Sequence, residues 1–328
     1  MKKLITKVAV AVAGFTSVLM AQQDPQFTQF MNSKLIYNPG YAGTSNAICA
    51  NVLYRKQWVN FPGAPSTGLL SADMRVIPHL GVGINLMSDQ IGADKTFFGR
   101  VAASYNLNIG SNGGCLGIGI DAGILQKQIN QDWIAPEPGR TDVAIPGYSA
   151  GSSSTNPNLS KLTYDLGFGI FYNLPNRAYV GISSTHLPAQ TLKNGGDTDG
   201  KNGVDVKFQM ARHYYLVAGY IQPLNPRNDI GVNLKVKSDA STTQLDINLT
   251  YEWNKTFWLG CSYRMEDAVA PMLGVRILNK SLKIGYSYDY TLSKIKGYTS
   301  GTHEIMLGYC MVKKKAKPTV YGNVRFLD

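Results

Sequence analysis

Charged residues are scarce in this chain of 328 residues: Asp, Glu, Lys and Arg make up 16%, against roughly 25% in an ordinary soluble protein. Beyond the N-terminus there is no apolar run of about 18 residues, which argues against transmembrane helices. The four cysteines show no Cys-x-x-Cys spacing and the four histidines no His-x-x-x-His spacing, so no zinc motif is visible. These shortages exclude a helical membrane protein, a coiled coil, a disordered chain and a collagen.

Glycine and aromatic residues are plentiful instead. The chain has 34 glycines and 19 tyrosines, and aromatic residues reach 10%. With so little charge, this composition favours many strands that turn one face to an apolar environment. The formal net charge is +11, but no basic and aromatic module for RNA or DNA is present. We therefore expect no nucleic-acid partner.

The first 21 residues have the features of an export signal. Lys2, Lys3 and Lys7 precede an apolar run over residues 8–20, and the small residue Ala21 ends that run. A basic start, a short apolar middle and a small residue at the cleavage point are typical of a secretory signal peptide. We therefore predict a signal peptide over residues 1–21 and an exported protein.

Alternation of apolar and polar residues dominates the rest of the chain. Between Leu282 and Leu292 every second residue is apolar or aromatic, and Lys, Gly, Ser, Asp and Thr lie between them. This period of two is that of a strand with two different faces. Fourteen such stretches are predicted, at about 46–57, 67–76, 80–90, 96–109, 114–128, 162–174, 177–187, 212–224, 230–238, 242–254, 256–266, 270–279, 282–293 and 301–311. Many approach the ~9–11 residues that a tilted strand needs to cross a bilayer.

The connections between these stretches differ in length by parity. Those after even-numbered strands are short, and those after odd-numbered strands are mostly longer, with two long ones at about 129–161 and 188–211. Short turns at one end and long loops at the other are typical of a transmembrane barrel. We therefore predict an all-β outer-membrane barrel of about 14 antiparallel strands over residues 46–311, surrounded by outer-membrane lipid. A soluble up-and-down barrel or a β-sandwich with one wet face would show the same alternation, but a sandwich has no reason to divide its connections by parity.

Two segments flank the predicted barrel. Residues 22–45 are predicted as an N-terminal periplasmic segment, and residues 312–328 as a basic C-terminal periplasmic tail with Lys313, Lys314, Lys315, Lys317 and Arg325. The tail is either a docking element for a periplasmic partner or acidic polymer, or a solvated end whose lysines lie among anionic head groups.

Several motifs resemble those of one protein family. Asp24-Pro25-Gln26-Phe27-Thr28-Gln29-Phe30 followed by Asn38-Pro39-Gly40-Tyr41-Ala42-Gly43 is similar to the N-terminal signature of the PorP/SprF family. The stretches 54–58 and 301–305 and the ending 323–326 are also similar to that family. Its members are outer-membrane proteins of the type IX secretion and gliding machinery of Bacteroidota.

The resemblance implies a non-enzymatic barrel that docks periplasmic machinery or supports export and surface attachment of secreted adhesins. It implies partners among periplasmic ring and lipoprotein components, peptidoglycan-linked proteins and the C-terminal domains of adhesins. The partner-binding candidates are Asp24, Pro25, Gln26, Phe27, Gln29, Phe30, Asn38, Pro39, Gly40, Lys313, Lys314, Lys315, Lys317, Arg325 and Phe326. The alternative function is a porin or a transporter of hydrophobic substrates, for which a barrel of this size is suitable.

Catalytic motifs are weak. Ser149 lies in a Gly-x-Ser-x-Gly match, but within a loop rich in Pro, Ser and Asn rather than between a strand and a helix. An outer-membrane esterase is therefore only a third alternative. Residues 197–201 begin like a calcium loop, but Lys201 occupies a ligand position. We assign no catalytic residue, cofactor or metal, and expect the cysteines to be unpaired apolar residues within strands.

Overall fold

A computed structural model describes residues 24–45, 47–129, 159–189, 191–194 and 206–312. Its strands are β1 Ala47–Lys56, β2 Ser66–Ile77, β3 Leu80–Ile91, β4 Asp94–Ile109, β5 Gly114–Ile129, β6 Leu159–Leu174, β7 Ala178–Thr185, β8 Thr191–Asn194, β9 Val206–Gln209, β10 His213–Pro223, β11 Asp229–Ser238, β12 Thr243–Trp253, β13 Phe257–Arg264, β14 Ala268–Ile277, β15 Leu282–Thr291 and β16 Thr302–Val312. Among these residues, no helix has the length and apolar character needed to cross a bilayer.

Fourteen of the strands form one closed barrel, as predicted. Neighbouring barrel strands pair antiparallel in chain order, and β16 pairs with β1 to close the sheet. Strands β8 and β9 pair only with each other, within the 188–211 connection that was predicted as a loop. The end that carries residues 47 and 312 also carries the short connections after β2, β4, β6, β10, β12 and β14. We call it the short-turn end, and the opposite one the long-loop end.

The two faces of the sheet follow the predicted alternation. Val52 and Tyr54 of β1 are about half exposed on the outside, whereas Leu53 and Arg55, which alternate with them, are buried in the lumen. The same pattern recurs in β12, where Ile247 and Leu249 point outwards and Asn248 is buried. The outer surface is therefore apolar, as required of a sheet that faces lipid.

One prediction about the cysteines is wrong. Cys49 and Cys310 form a disulfide bond across the pair β1 and β16, while Cys115 and Cys261 are free. The two bonded residues are separated by 261 positions in sequence. They meet only because the first and last strands are neighbours in the closed barrel, so their spacing along the chain gave no indication of the bond.

The N-terminal segment lies inside the barrel, which corrects its predicted periplasmic location. Residues 24–45 run from Asp24, near the long-loop end, to the start of β1 at the short-turn end. They include three short 3-10 turns, Phe30–Asn32, Lys34–Ile36 and Pro39–Tyr41. We call residues 24–45 the plug.

Apolar side chains of the plug pack against inward-facing residues of the wall. Phe27, Phe30, Met31, Ile36 and Tyr37 form one cluster with wall residues from both sides of the lumen. Those wall residues are Leu53, Leu69, Met87, Phe98, Leu125, Phe171, Tyr179, Tyr215, Val217, Trp258, Met272 and Met306. The cluster explains why β10 is apolar on both faces: its outer face meets lipid and its inner face meets the plug. Burial of this apolar surface drives the segment into the lumen.

Candidate functional site

The plug begins at Asp24, whose carboxylate lies among two histidines and a tyrosine of the wall. Its Oδ1 is 2.9 Å from His186 Nε2, and its Oδ2 accepts a 2.7 Å hydrogen bond from the Tyr215 hydroxyl. His213 Nδ1 lies 3.9 Å from Oδ2, and Lys237 donates to the Asp24 carbonyl oxygen at 3.0 Å. Because these partners come from the end of β7 and from β10 and β11, three wall strands hold this residue.

Neighbouring carboxylates control the protonation of His186, which lies just beyond the end of β7. Burial lowers the pKa of the imidazole, but Asp24 and Asp165 outweigh burial and raise that pKa to about 9. Asp165 Oδ1 lies 3.0 Å from His186 Nδ1, on the side of the ring away from Asp24. Without a bound metal ion, the ring is held between two carboxylates, which favour its charged form.

The wall grips the plug again at Thr28 and Gln29. Their backbone N–H groups donate to the two carboxylate oxygens of Glu304, at 2.8 and 2.7 Å. Arg55 lies 3.0 Å from Glu304 and 2.7 Å from Asp289, and it donates to the Thr28 hydroxyl at 2.8 Å. We call Arg55, Asp289 and Glu304 the clamp. Since Arg55 and Glu304 are register partners in β1 and β16, the clamp lies on the seam that closes the barrel.

The clamp continues into a buried network of ion pairs. Arg264 lies 3.3 Å from Asp289 and 3.5 Å from Asp246, and Lys235 lies 2.7 Å from Asp246. The Lys235 ammonium group is also 4.9 Å from the ring centre of Phe30 in the plug. Each buried charge costs several kcal/mol to desolvate, and attraction to an opposite charge offsets this cost, so each of these groups depends on its neighbours.

Asn38 joins the middle of the plug to two strands. Its side chain is fully buried, and its Nδ2 donates to the carbonyl oxygens of Ile170 in β6 and Ile182 in β7, at 3.0 Å each. Its Oδ1 accepts from the backbone N–H of Gly40 at 2.9 Å and so caps the third 3-10 turn. One side chain thus stabilises a turn and fixes that turn to the wall.

Glycines let the plug backbone touch the wall backbone next to Asn38. A Cβ on Gly119 of β5 would lie 2.5 Å from the carbonyl carbon of Pro39, and one on Gly117 would overlap the carbonyl oxygen of Gly40. A Cβ on Gly40 itself would lie 2.7 Å from the Gly117 carbonyl oxygen. Any larger residue would force these two backbones apart.

The structure separates the predicted partner-binding residues into two groups. Asp24, Pro25, Gln26, Phe27, Gln29, Phe30, Asn38, Pro39 and Gly40 all belong to the plug. Phe27, Gln29, Phe30 and Asn38 are at most 1% exposed, so their contacts here are with the wall; contact with a partner stays a prediction. Lys313, Lys314, Lys315, Lys317, Arg325 and Phe326 lie outside the described residues, as do residues 1–21, Ser149 and residues 197–201.

Sequence reasoning missed most wall residues that hold the plug. Arg55 and Glu304 occur in two of the family-like motifs, and these motifs meet the N-terminal one at the clamp. Asp289, His186 and His213 gave no signal, because each lies more than 100 residues from its partners in the plug. One sign of a filled lumen was present in the sequence. The inward residues of β10 are apolar, whereas a water-filled lumen needs polar ones.

The closed sheet, its apolar outside and its filled lumen define an outer-membrane β-barrel with an internal plug. A model of the family described as the type IX secretion system membrane protein PorP/SprF matches residues 19–309. The chain therefore belongs to the PorP/SprF family, and it is an outer-membrane component of type IX secretion.

Several solved structures are weakly similar to this chain. Omp33 of Acinetobacter baumannii has a TM-score of 0.42 and 8% identity, covering 81% of this chain and 99% of its own. The TodX monoaromatic hydrocarbon channel (deltaS2S3 mutant) has a TM-score of 0.47 and 12% identity, covering 86% and 94%. A Pseudomonas aeruginosa FadL homologue has a TM-score of 0.41 and 11% identity, covering 81% and 89%. These likenesses are weak, and the strand pairing itself defines the fold. No curated protein matches the sequence significantly.

Proposed function

We propose that this protein is a docking barrel of type IX secretion, which binds other components at its two ends and conducts nothing through its lumen. The observation that supports this proposal is the burial of the plug. Inward side chains from opposite walls, such as Leu53, Phe171 and Met306, are at most 1% exposed because the plug lies between them. Because the lumen is filled, partners would bind at the two ends of the barrel.

The periplasmic partners would bind at the short-turn end. An even number of strands brings both barrel termini to the same end, and short turns are typical of the periplasmic side. Residues 313–328 follow β16 at this end and supply Lys313, Lys314, Lys315, Lys317, Arg325 and Phe326. A basic segment with an apolar tip suits an acidic protein surface, while the long-loop end would face secreted adhesins.

Co-purification tests the docking role. Replacing the four lysines of the tail with glutamine should lose the periplasmic partners, whereas replacing them with arginine should retain them, because arginine keeps the charge. Both variants should keep the heat-dependent shift in gel mobility that reports a folded barrel. Unchanged co-purification of the glutamine variant would count against docking through the tail.

A diffusion channel is the second candidate, and one observation favours it. Cavities of about 300 and 220 Å³ lie beside the plug, one towards each end of the barrel. In planar bilayers the intact protein should be electrically silent if it only docks partners. A barrel lacking residues 24–45 that is still heat-modifiable should conduct. Steady, large conductance of the intact protein would favour the channel and contradict the docking barrel.

A further inference from the structure

The first residue of the plug stands in a set of metal-binding side chains. Asp24, His186 and His213 each offer one ligand atom, and these atoms all lie within 4.8 Å of one another. Among the residues that the structure describes, no other group of three His, Cys, Asp or Glu side chains comes as close together. Two imidazoles and one carboxylate form a common ligand set for zinc and similar divalent ions.

Each imidazole has its Nδ1 close to an oxygen that lies outside the proposed ligand set. His186 Nδ1 lies 3.0 Å from Asp165 Oδ1, which leaves Nε2 facing Asp24. His213 Nδ1 lies 3.1 Å from the carbonyl oxygen of Ala211 and 3.9 Å from Asp24 Oδ2, while its Nε2 accepts a hydrogen bond of 3.4 Å from the Asp24 backbone N–H, a bond that a metal ion on Nε2 would replace. Metal-binding histidines usually donate their other ring nitrogen to a carboxylate or carbonyl oxygen, which fixes the tautomer and the ring orientation.

The surroundings supply space and negative charge. Asp24, His186 and His213 all line the cavity of about 300 Å³ at the long-loop end. The charged side chains that line this cavity or pair with its walls are Asp24, Asp89, Asp94, Asp121, Asp165, Arg100, Lys127 and Lys237. Five carboxylates against these three cations and the His186 imidazolium leave an excess of negative charge that favours a divalent cation.

We propose that Asp24, His186 and His213 form a binding site for a divalent transition-metal ion such as Zn²⁺, with water from the cavity as a further ligand. The docking role does not require such a site. The ion would join the first residue of the plug to the end of β7 and to β10. Zinc would bind these atoms at about 2.0–2.2 Å and would displace the proton that His186 shares with Asp24.

Titration of the full-length protein in detergent, after removal of bound metal, tests the site. Zn²⁺ should bind with a stoichiometry of one, and Co²⁺ should give the visible absorption of a site with nitrogen ligands. His213→Ala should abolish both signals, and Asp165→Asn should weaken the affinity about 10–100-fold, as is usual for the partner of a ligand. The matched control is His79→Ala, since His79 lies at the short-turn end and stacks on Tyr105.

Two results would overturn the proposal. One is the absence of stoichiometric Zn²⁺ binding to the intact protein. The other is unchanged binding by His213→Ala and by a second variant, His186→Gln, each shown to be folded by its heat-dependent gel mobility. Conductance and partner co-purification do not enter this test, so its failure is distinguishable from failure of the docking barrel.

Discussion

Arg55 and Glu304 face each other in the register of β1 and β16. Each is at most 2% exposed, so neither charge can be solvated by water when the plug is in place. Glu304 uses both oxygens on plug amides, and Arg55 binds Glu304, Asp289 and the Thr28 hydroxyl together. Without the plug, Glu304 and Arg55 would lack some of these hydrogen-bond partners. The plug therefore supplies partners to charged groups that the barrel wall alone does not satisfy.

Glu304→Gln should loosen the plug at Thr28 and Gln29. Removing one partner of a buried ion pair costs about 3–5 kcal/mol, and most of this loss should fall on opening of the plug. Hydrogen exchange of residues 27–30, followed by mass spectrometry, should speed up strongly. The matched control is Glu252→Gln: Glu252 pairs with Arg276 at 2.6 Å, but both side chains are partly exposed, so the expected cost is about 0–1 kcal/mol. Equal rates of hydrogen exchange at residues 27–30 in the two variants would argue against a role of the clamp in holding the plug.

Gly119→Ala should displace the plug near Pro39. The added Cβ would lie 2.5 Å from the Pro39 carbonyl group, so backbone must move on one side. Overpacking of this kind usually costs about 1–3 kcal/mol. Gly68→Ala is the control, because a Cβ on Gly68 of β2 meets nothing within 4 Å. Thermal unfolding and exchange of residues 36–42 should change in the first variant and not in the second.

At the scale of elements, the strands could be predicted and the plug could not. The predicted strand 80–90 and the observed Leu80–Ile91 nearly coincide, because alternation with period two is a local property of the sequence. The plug has only 3-10 turns of three residues each, which leave no periodic pattern. Its position depends on contacts such as Asn38 with Ile182, 144 residues apart, and these exist only once the barrel has closed.

Asn38→Ala should release the middle of the plug from β6 and β7. The variant loses three hydrogen bonds, worth about 2–4 kcal/mol together. Exchange of plug amides should become faster, while exchange in the barrel strands should stay as it is. Asn108→Ala is the control, since Asn108 is exposed and lies 3.5 Å from Arg75. If the plug amides exchange at the same rate in both variants, the hydrogen bonds of Asn38 contribute little to holding the plug.

At the scale of the whole molecule, two kinds of bond close the barrel. Ten register pairs join β1 to β16, from Ala47 with Val312 to Lys56 with His303. Near the short-turn end of this seam, the disulfide between Cys49 and Cys310 adds a covalent link. The clamp lies near the other end of the same seam. Barrel closure and plug binding therefore share one pair of strands, with a covalent bond at one end and buried charges at the other.

Replacing both Cys49 and Cys310 with alanine should lower the stability of the barrel without opening it. The bond encloses a loop of about 261 residues, and a loop of this length restricts the unfolded chain by at most about 5–6 kcal/mol. The temperature at which gel mobility shifts should therefore fall, and reductant should lower it in the wild type but not in the variant. Cys261→Ala is the control, because its thiol is free and exposed. Since the register pairs of the seam remain, plug exchange should stay unchanged; faster exchange would mean that the covalent bond, and not the strand pairing, holds the clamp in place.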